Sequence, residues 1–527
     1  MKKKIAIIGA STGQLPLCLK AKEMGLETYC FAWPKGAVCK DYVDCFVPIS
    51  IFELDEIVKY CKLYHIDGVV SNASEATALV VSYVAEKLGK ICTPYDNFKK
   101  IQNKVFVRET TNNIPELQCV EFRTGSFEKI ISSFPRPFVI KPIKGDSKKG
   151  VSFIDEQINE SFVPDEWDDV DFMAESYVCG KEYSVECISY HGHHEVIQIT
   201  EKIGTGAPHF VEIGHNQPAL LLEEEKREIR RVIPKILSSI GFVNGASHIE
   251  IKIDDLGRIS LIELNPRGGG DEISNKLIQL STGFDFLRAI IEVALDMFQF
   301  STISHNKYAG IYYLCRQSID WLPFFENVDY QPWLVEKKLD KKIDINSLHH
   351  SISNYDRDGY VIYNWEKRIV PTQHADVCVR KLNIMPNGYE LGYNFLQKIN
   401  EEEKNREYDI PNSWLQKIFT YADILVYMDK SVIQGWCVLY CNDKIKKYAY
   451  IAGLYVLSEY RQKGIAKILL EYSVDICRGR RFDVLGLYCN NPIAMKLYIR
   501  YGFIEKEKKN VDRLGGQIYS YMELHLK

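Results

Sequence analysis
Two carboxylates and an amide near the middle of the chain are spaced to hold one metal ion. Glu250 lies in His248-Ile249-Glu250, and Glu263 and Asn265 lie in Leu261-Ile262-Glu263-Leu264-Asn265-Pro266-Arg267. Apolar residues alternate with both acids, which predicts two strands with one buried face each. The Asp254-Asp255-Leu256-Gly257 turn between them makes a hairpin, so the acids sit on adjacent strands. A buried carboxylate is costly unless paired or metal-bound. Hard oxygen ligands of this kind suit Mg2+, with Mn2+ as a substitute. Arg267, two residues after Asn265, is placed for a phosphate or carboxylate. A hairpin with surface acids is the plainer alternative, and the Asn-Pro-Arg-Gly-Gly ending counts against it.

Lysines stand where phosphates would need them. Lys104 lies in a helical turn, and Lys141 closes the apolar strand Pro137-Phe138-Val139-Ile140-Lys141. Alone, Lys141 could simply snorkel to water. A basic, glycine-containing loop follows at 143–151, including Ser147, and its freed amides and ammonium groups could cover a polyphosphate. It is not a Walker A loop. Next, Glu175-Ser176-Tyr177-Val178-Cys179-Gly180-Lys181-Glu182 reads as strand, tight turn and strand, with a carboxylate on each side of the glycine.

The elements that must position these groups are α/β. Strand Ile5–Ile8, a glycine turn, a helix to about Met24 and strand Thr28–Phe31 form a βαβ unit. The Gly9-x-x-x-Gly13 spacing departs from the dinucleotide fingerprint, so NAD is weakly supported. Helices at Phe52–Tyr64 and Glu75–Leu88 around strand Gly68–Ser71 complete a parallel sheet of four or five strands ending near residue 95. The chain has 527 residues, too many for one core, and suggests three domains. Apolar content of 46%, charged content of 26% and a formal charge of −4 are ordinary for a globular enzyme and argue against nucleic acid or anionic membrane as partner. Fifteen cysteines without a Cys-x-x-Cys pair read as reduced thiols of a cytoplasmic protein. The apolar run after Lys2-Lys3-Lys4 stops at Gly9, too short for a signal peptide, and no run is long enough to span a membrane.

From about Asp376 the pattern changes. Helices at Gly388–Asn405 and Pro411–Tyr421 precede strands Ile424–Met428, Ser431–Cys441 and Lys447–Val456. Arg461-Gln462-Lys463-Gly464-Ile465-Ala466 then turns into an amphipathic helix, whose exposed first amides make a pyrophosphate site. Strand Asp483–Cys489 leads to Asn491-Pro492-Ile493-Ala494-Met495-Lys496-Leu497-Tyr498, followed by Gly502-Phe503.

The order lysine, strand-ending lysine, glycine loop, Glu-x-x-Val hinge and Glu…Glu-x-Asn-x-Arg resembles the ATP-grasp superfamily over roughly residues 1–375. Thr200-Glu201-Lys202, Glu212-Ile213-Gly214-His215 and His248-x-Glu250 make it most similar to the carboxylate–amine ligases, including bacterial L-amino acid ligases. The Arg461 turn and the Asn491–Tyr498 helix resemble GNAT N-acetyltransferases over about 376–527. These resemblances imply an α/β and α+β multidomain chain. A Rossmann-like pre-ATP-grasp unit spans 1–95, an ATP-grasp fold 96–375 and a GNAT fold 376–527. They imply that Lys104, Lys141 and Ser147 hold ATP phosphates, that Glu175 and the Val178 backbone meet adenine, and that Glu182 meets ribose. Glu250, Glu263 and Asn265 would bind Mg2+. Arg267 would stabilise the acyl-phosphate and tetrahedral states, and Glu212 and His215 would face the substrates, with Glu212 within reach of a metal. Arg461, Lys463, Gly464 and Ala466 would hold the acetyl-CoA pyrophosphate, Asn491 its pantetheine arm, and Tyr498 would protonate the departing thiolate.

The implied function is ATP-dependent ligation of a small-molecule carboxylate to an amine through an acyl phosphate, joined to N-acetylation. Two alternatives stand: a purine-type ATP-grasp carboxylase or cyclo-ligase, and a ligase whose GNAT domain only senses acetyl-CoA. His191, His193 and His194 read as a solvated hairpin turn rather than a metal site, whereas His215, in a glycine-containing loop beside Glu212, reads as functional. A homodimer stays open.

Overall fold
The Lys4–Ile8 run becomes the centre of a parallel sheet in the order Cys45–Val47, Glu27–Phe31, Lys4–Ile8, Gly68–Val70. The computed structural model describes residues 2–143, 151–155, 171–207, 210–301, 307–339, 348–354, 356–371, 377–385, 387–403, 411–429, 432–461, 463–511 and 517–526. Ser147, placed on the phosphates above, lies outside them. The described residues divide into two units. One is Met1–Gln317 with Lys338–Asn364, and the other is Ser318–Lys337 with Trp365–Lys527.

In the first unit, helices Leu54–Leu63 and Glu75–Lys87 cover one face of the parallel sheet through Ile57, Cys61, Val80 and Val84. Helix Phe286–Ala294 closes the other through Ile290 and Ile291. A small antiparallel sheet follows, in the order Phe122–Gly125, Phe172–Ser176, Phe138–Pro142, Ser152–Ile154. A larger sheet runs Ile259–Asn265, Gly245–Ile253, Lys181–Tyr190, His193–Gly204, Glu212–Gln217, Tyr308–Leu314, Gly359–Trp365.

Register in the larger sheet decides where the chemistry sits. Directly opposed residues share a face. Glu250 pairs with Glu263 and Ser184, His248 with Asn265 and Glu186, Lys252 with Glu182, and Lys202 with His215. The acids, amide and cations therefore line one face. Val185, Cys187, Ile249 and Ile251 occupy the alternate positions and pack on Ile229, Val232, Ile233 and Ile236 of helix Glu223–Ser239. That apolar contact anchors the sheet and fixes the register, because a one-residue slip would bury the acids under the helix.

In the second unit the strand order is Val377–Lys381, Asp423–Asp429, Val432–Asp443, Tyr448–Val456, Val484–Cys489, Gln517–His525, Ile504–Val511. Tyr448–Val456 and Val484–Cys489 run parallel, and their pairing runs from Tyr448↔Val484 to Ile451↔Leu487. Beyond Ile451 the Ala452–Val456 stretch has no partner on the Val484–Cys489 side, so the sheet opens between them. Helix Ile465–Gly479 packs Leu469, Leu470 and Cys477 on one face, and Phe395 and Leu415 cover Trp436 on the other. Cys437 and Cys441 both turn toward this helix, one against Ser473 and the other with its sulfur 3.6 Å from that of Cys477. Every described cysteine is free. Among the described residues, no helix is long and apolar enough to cross a membrane.

Candidate functional site
A buried lysine organises the polar face of the first unit. Lys202 Nζ lies 2.6 Å from Glu182 Oε1, 2.8 Å from Glu250 Oε1 and 3.2 Å from Glu212 Oε1. Its side chain is 4% exposed. Burial pulls its pKa down, but Glu182, Glu250 and Glu212 outweigh that and hold it well above the ordinary lysine value. Three residues assigned above to ribose, metal and substrate thus converge on one cation. Lys202 was quoted there without a role, although an inward-pointing lysine on a buried strand is the same signal that marks Lys141.

Glu250 also accepts from His248 Nε2 at 3.2 Å, and His248 Nδ1 contacts Glu186 Oε1 at 2.5 Å. Burial lowers the His248 pKa, but Glu186 and Glu250 raise it to about 9, so the imidazole is cationic at neutral pH. The Gly269 amide donates to Glu186 Oε2 at 3.2 Å, and a Cβ at Gly269 would stand 2.7 Å from His248 Nδ1. Only glycine lets the backbone come this close.

Glu263 stands opposite Glu250 in the hairpin register, two residues before Asn265. Like charges directly opposed on a sheet repel. Two carboxylates and the Asn265 amide form a hard-oxygen donor set that fits Mg2+. Arg267 donates through Nη1 to Gly268 O at 3.0 Å and reaches Asn265 Oδ1 at 3.4 Å through Nη2, while its buried Nε has no hydrogen-bond partner. An unmatched guanidinium N–H suits an oxyanion.

On the small sheet, Glu175 is clamped between Lys141 Nζ at 2.5 Å and Arg108 Nε at 2.6 Å. Burial raises the Glu175 pKa, and the two cations bring it down to about 2. Lys141 and Glu175, assigned to phosphate and adenine, are thus one ion pair. Arg108 went unread because its partner is distant in sequence. Lys104 is the first residue of helix Lys104–Thr111, after the Asn103 N-cap, whose side chain accepts from the amides of Val105 and Phe106. In the hinge, the Val178 carbonyl accepts from Lys252 Nζ at 3.1 Å. Tyr177, Val178, Gln118 and Arg258 line a cavity of about 240 Å³ there.

Lys141→Ala removes one of two cations on Glu175 and leaves Arg108 to pair the buried acid, so the fold should survive. If Lys141 also holds phosphates, kcat/KM for ATP should fall about 10- to 100-fold, the worth of a charge-assisted hydrogen bond. Normal ATP kinetics in that variant would place the nucleotide elsewhere.

His215 is not in a loop. It lies in strand Glu212–Gln217, between strands His193–Gly204 and Tyr308–Leu314, and both neighbours supply a backbone partner at His215 itself. The ring is 2% exposed. Nε2 lies 3.2 Å from Asp271 Oδ2, and Arg357 grips the same carboxylate at 2.8 and 3.0 Å. Asp271 and Arg357 are 86 residues apart, and neither carries a local sequence signal. Of the three histidines expected in the hairpin turn, only His191 is in it; His193 and His194 open the next strand, and His191 and His193 are exposed. His194 is buried and bonds Ser189 Oγ at 2.7 Å. No group of three or more metal-ligating His, Cys, Asp or Glu occurs among the described residues.

In the second unit, Gly464 caps helix Ile465–Gly479 with φ +82°, a conformation glycine adopts freely, and the helix's first amides follow it, with Ala466 in the first turn. Arg461 donates to Val456 O at 2.9 Å and to the Tyr455 hydroxyl at 3.1 Å, with Glu402 and Glu403 nearby. Lys463 lies over the Tyr460 ring. Asn491 Oδ1 accepts from the Ile493 and Ala494 amides, so it caps helix Pro492–Arg500. Tyr498 is buried against Phe503, and burial pushes its phenol up, keeping the proton on.

Residues 134–276 match the ATP-grasp domain family, and 393–503 match the Acetyltransferase (GNAT) family. A D-alanine--D-alanine ligase of Flavobacterium psychrophilum is 28% identical over 171 residues, 30% of this chain and 52% of the relative. An alanine--anticapsin ligase of Bacillus amyloliquefaciens is 24% identical over 270 residues, 46% of this chain and 56% of the relative. The chain therefore spans little more than half the length of these relatives. An L-amino acid ligase of Bacillus licheniformis has a similar fold, with a TM-score of 0.56 at 20% identity over 69% of this chain and 94% of that one. So does the N5-carboxyaminoimidazole synthetase of Staphylococcus aureus complexed with ADP, with a TM-score of 0.53 at 17% identity over 69% and 93%.

Proposed function
We propose, for a chain that carries an ATP-grasp domain and an acetyltransferase (GNAT) domain, a bifunctional enzyme. The first joins a small-molecule carboxylate, of amino-acid type, to an amine through an acyl phosphate. The second moves an acetyl group from acetyl-CoA to an amine. The observation that carries this reading is the single sheet face on which Glu250, Glu263, Asn265, Lys202 and His215 meet, beside Arg267. Such chemistry asks little covalent work of the protein and much positioning and charge neutralisation. Glu250, Glu263 and Asn265 would hold Mg2+, which when bound neutralises phosphate oxygens. Lys104 and Lys141 would hold the ATP phosphates, the Val178 amide and Glu175 the adenine, and Glu182 the ribose. Arg267 would stabilise the acyl-phosphate and tetrahedral states, and Glu212 and His215 would meet the substrates. Arg461, Lys463, Gly464 and Ala466 would seat the pyrophosphate of acetyl-CoA, with Asn491 near its arm and Tyr498 as acid to the leaving thiolate. The use of ATP and acetyl-CoA supports a cytoplasmic setting for both reactions.

A phosphate-release screen over pairs of L-amino acids with Mg2+ and ATP tests it, with mass spectrometry with and without acetyl-CoA. The expected products are ADP, phosphate and a condensed pair, and an acetylated amine when acetyl-CoA is present. AMP and pyrophosphate as products would overturn the acyl-phosphate route. Bicarbonate dependence would mark a carboxylase. Ligation that responds to acetyl-CoA without any acetylated product would mark a sensor.

A further inference from the structure
The His215–Asp271–Arg357 array is built more tightly than packing alone requires. Asp271 and Glu272 both have left-handed backbones, φ +52° and +61°, in a chain of L-residues with no glycine at either position. A π-helical turn, Ile273–Leu277, follows at once. This irregular backbone brings the Asp271 carboxylate to His215 and Arg357 together. Arg357 is itself fixed, its guanidinium 3.7 Å above the Tyr313 ring and its side chain 5% exposed. Burial pushes the Asp271 carboxyl up, but the His215 hydrogen bond and the Arg357 charge hold it well below the usual range. Asp271 is therefore ionised and can only accept. His215 Nε2 must carry the hydrogen it donates, so the ring nitrogen left to take up a proton is Nδ1. That Nδ1 is buried and has no hydrogen-bond partner. Its ring stands directly across the sheet from Lys202, on the face that carries Glu182, Glu212 and Glu250.

We propose that Asp271, gripped by Arg357, is a positioning residue that fixes His215 as the base for the incoming amine. This rests on the ligase reading above. The neutral amine attacks the acyl carbon, the C–N bond forms and the C–O bond to phosphate breaks. Phosphate leaves with that electron pair, and the amine's surplus proton goes to His215 Nδ1, while Nε2–H stays on Asp271. Glu212 is the other candidate on this face, but Lys202 holds it. Formation of the acyl phosphate itself needs no such base.

Hydroxylamine separates the two halves of the reaction, because it is neutral at pH 7 and attacks acyl phosphates without help. The full chain is supplied with ATP, Mg2+ and the common L-amino acids as carboxylates. Acceptors are either L-amino acids or hydroxylamine, and the readouts are amide, hydroxamate and ADP. In Asp271→Asn, amide formation should fall about 100-fold, the usual worth of a general base, while hydroxamate formation stays within about twofold. Asp271→Glu should recover part of the amide. Equal losses in both products, or no loss in either, would overturn the positioning role while the ligase reading stands. A wild-type chain that makes no ATP-dependent hydroxamate from any carboxylate would overturn the ligase reading and this one with it. Should Asp271→Asn melt early, Arg357→Gln, which leaves the Asp271–His215 bond in place, must show the same split at smaller size.

Discussion
Glu263→Gln should cut ligase turnover about 100- to 1000-fold, the range for losing one fixed electrostatic partner of a developing charge. The same change should leave the protein as stable as before, or slightly more stable. Glu263 stands directly opposite Glu250. An amide there ends a like-charge pair worth roughly 0.2–1 kcal/mol of repulsion. Activity and stability therefore move in opposite directions, which a merely structural carboxylate would not do. Phosphate release and thermal melting on the same preparation decide it. Acetyl transfer, which the proposal assigns to residues of the second unit, should continue. Loss of stability together with activity would make Glu263 a packing residue.

Lys202→Met carries the largest expected effect on the fold. Met matches the lysine stem but leaves Glu182, Glu212 and Glu250 facing one another without their common cation. Removing one partner of a buried ionic cluster costs about 3–5 kcal/mol. The loss should appear at neutral pH in chemical denaturation. Added Mg2+ should recover part of it, since a divalent ion that binds the folded carboxylates stabilises by mass action. A variant as stable as the wild type would show that the carboxylates repack or take up protons without Lys202.

The hairpin, the Rossmann-like unit and the helix boundaries were legible because each rests on local period and local turn chemistry. Glu250 and Glu263 announce their strands by alternation, and Gly464 announces its helix. The edge strand Ile504–Val511 was not, because Glu, Lys and Asn fill every position between its two ends and leave no apolar alternation. The site was legible where a residue is odd for its element, as with Lys141. Partners that arrive through tertiary structure, such as Arg108 for Glu175 or Arg357 for Asp271, leave no mark at their own positions. Asn491 shows a third case. Its spacing fits a ligand-binding signature and a helix N-cap equally well, and its side chain is used in the cap.

The chain passes between its two units three times, after 317, after 337 and after 364. Ser318–Lys337 folds with the second unit, where Asn327 accepts from Arg380 at 2.6 Å. The two units are therefore interlaced along the gene rather than laid end to end. A recombination event near codon 376 would carry away most of one unit but leave a piece of it behind. An exchange that moved the second unit intact would need two separate inserts, so the pairing of these units is harder to shuffle than a tethered fusion.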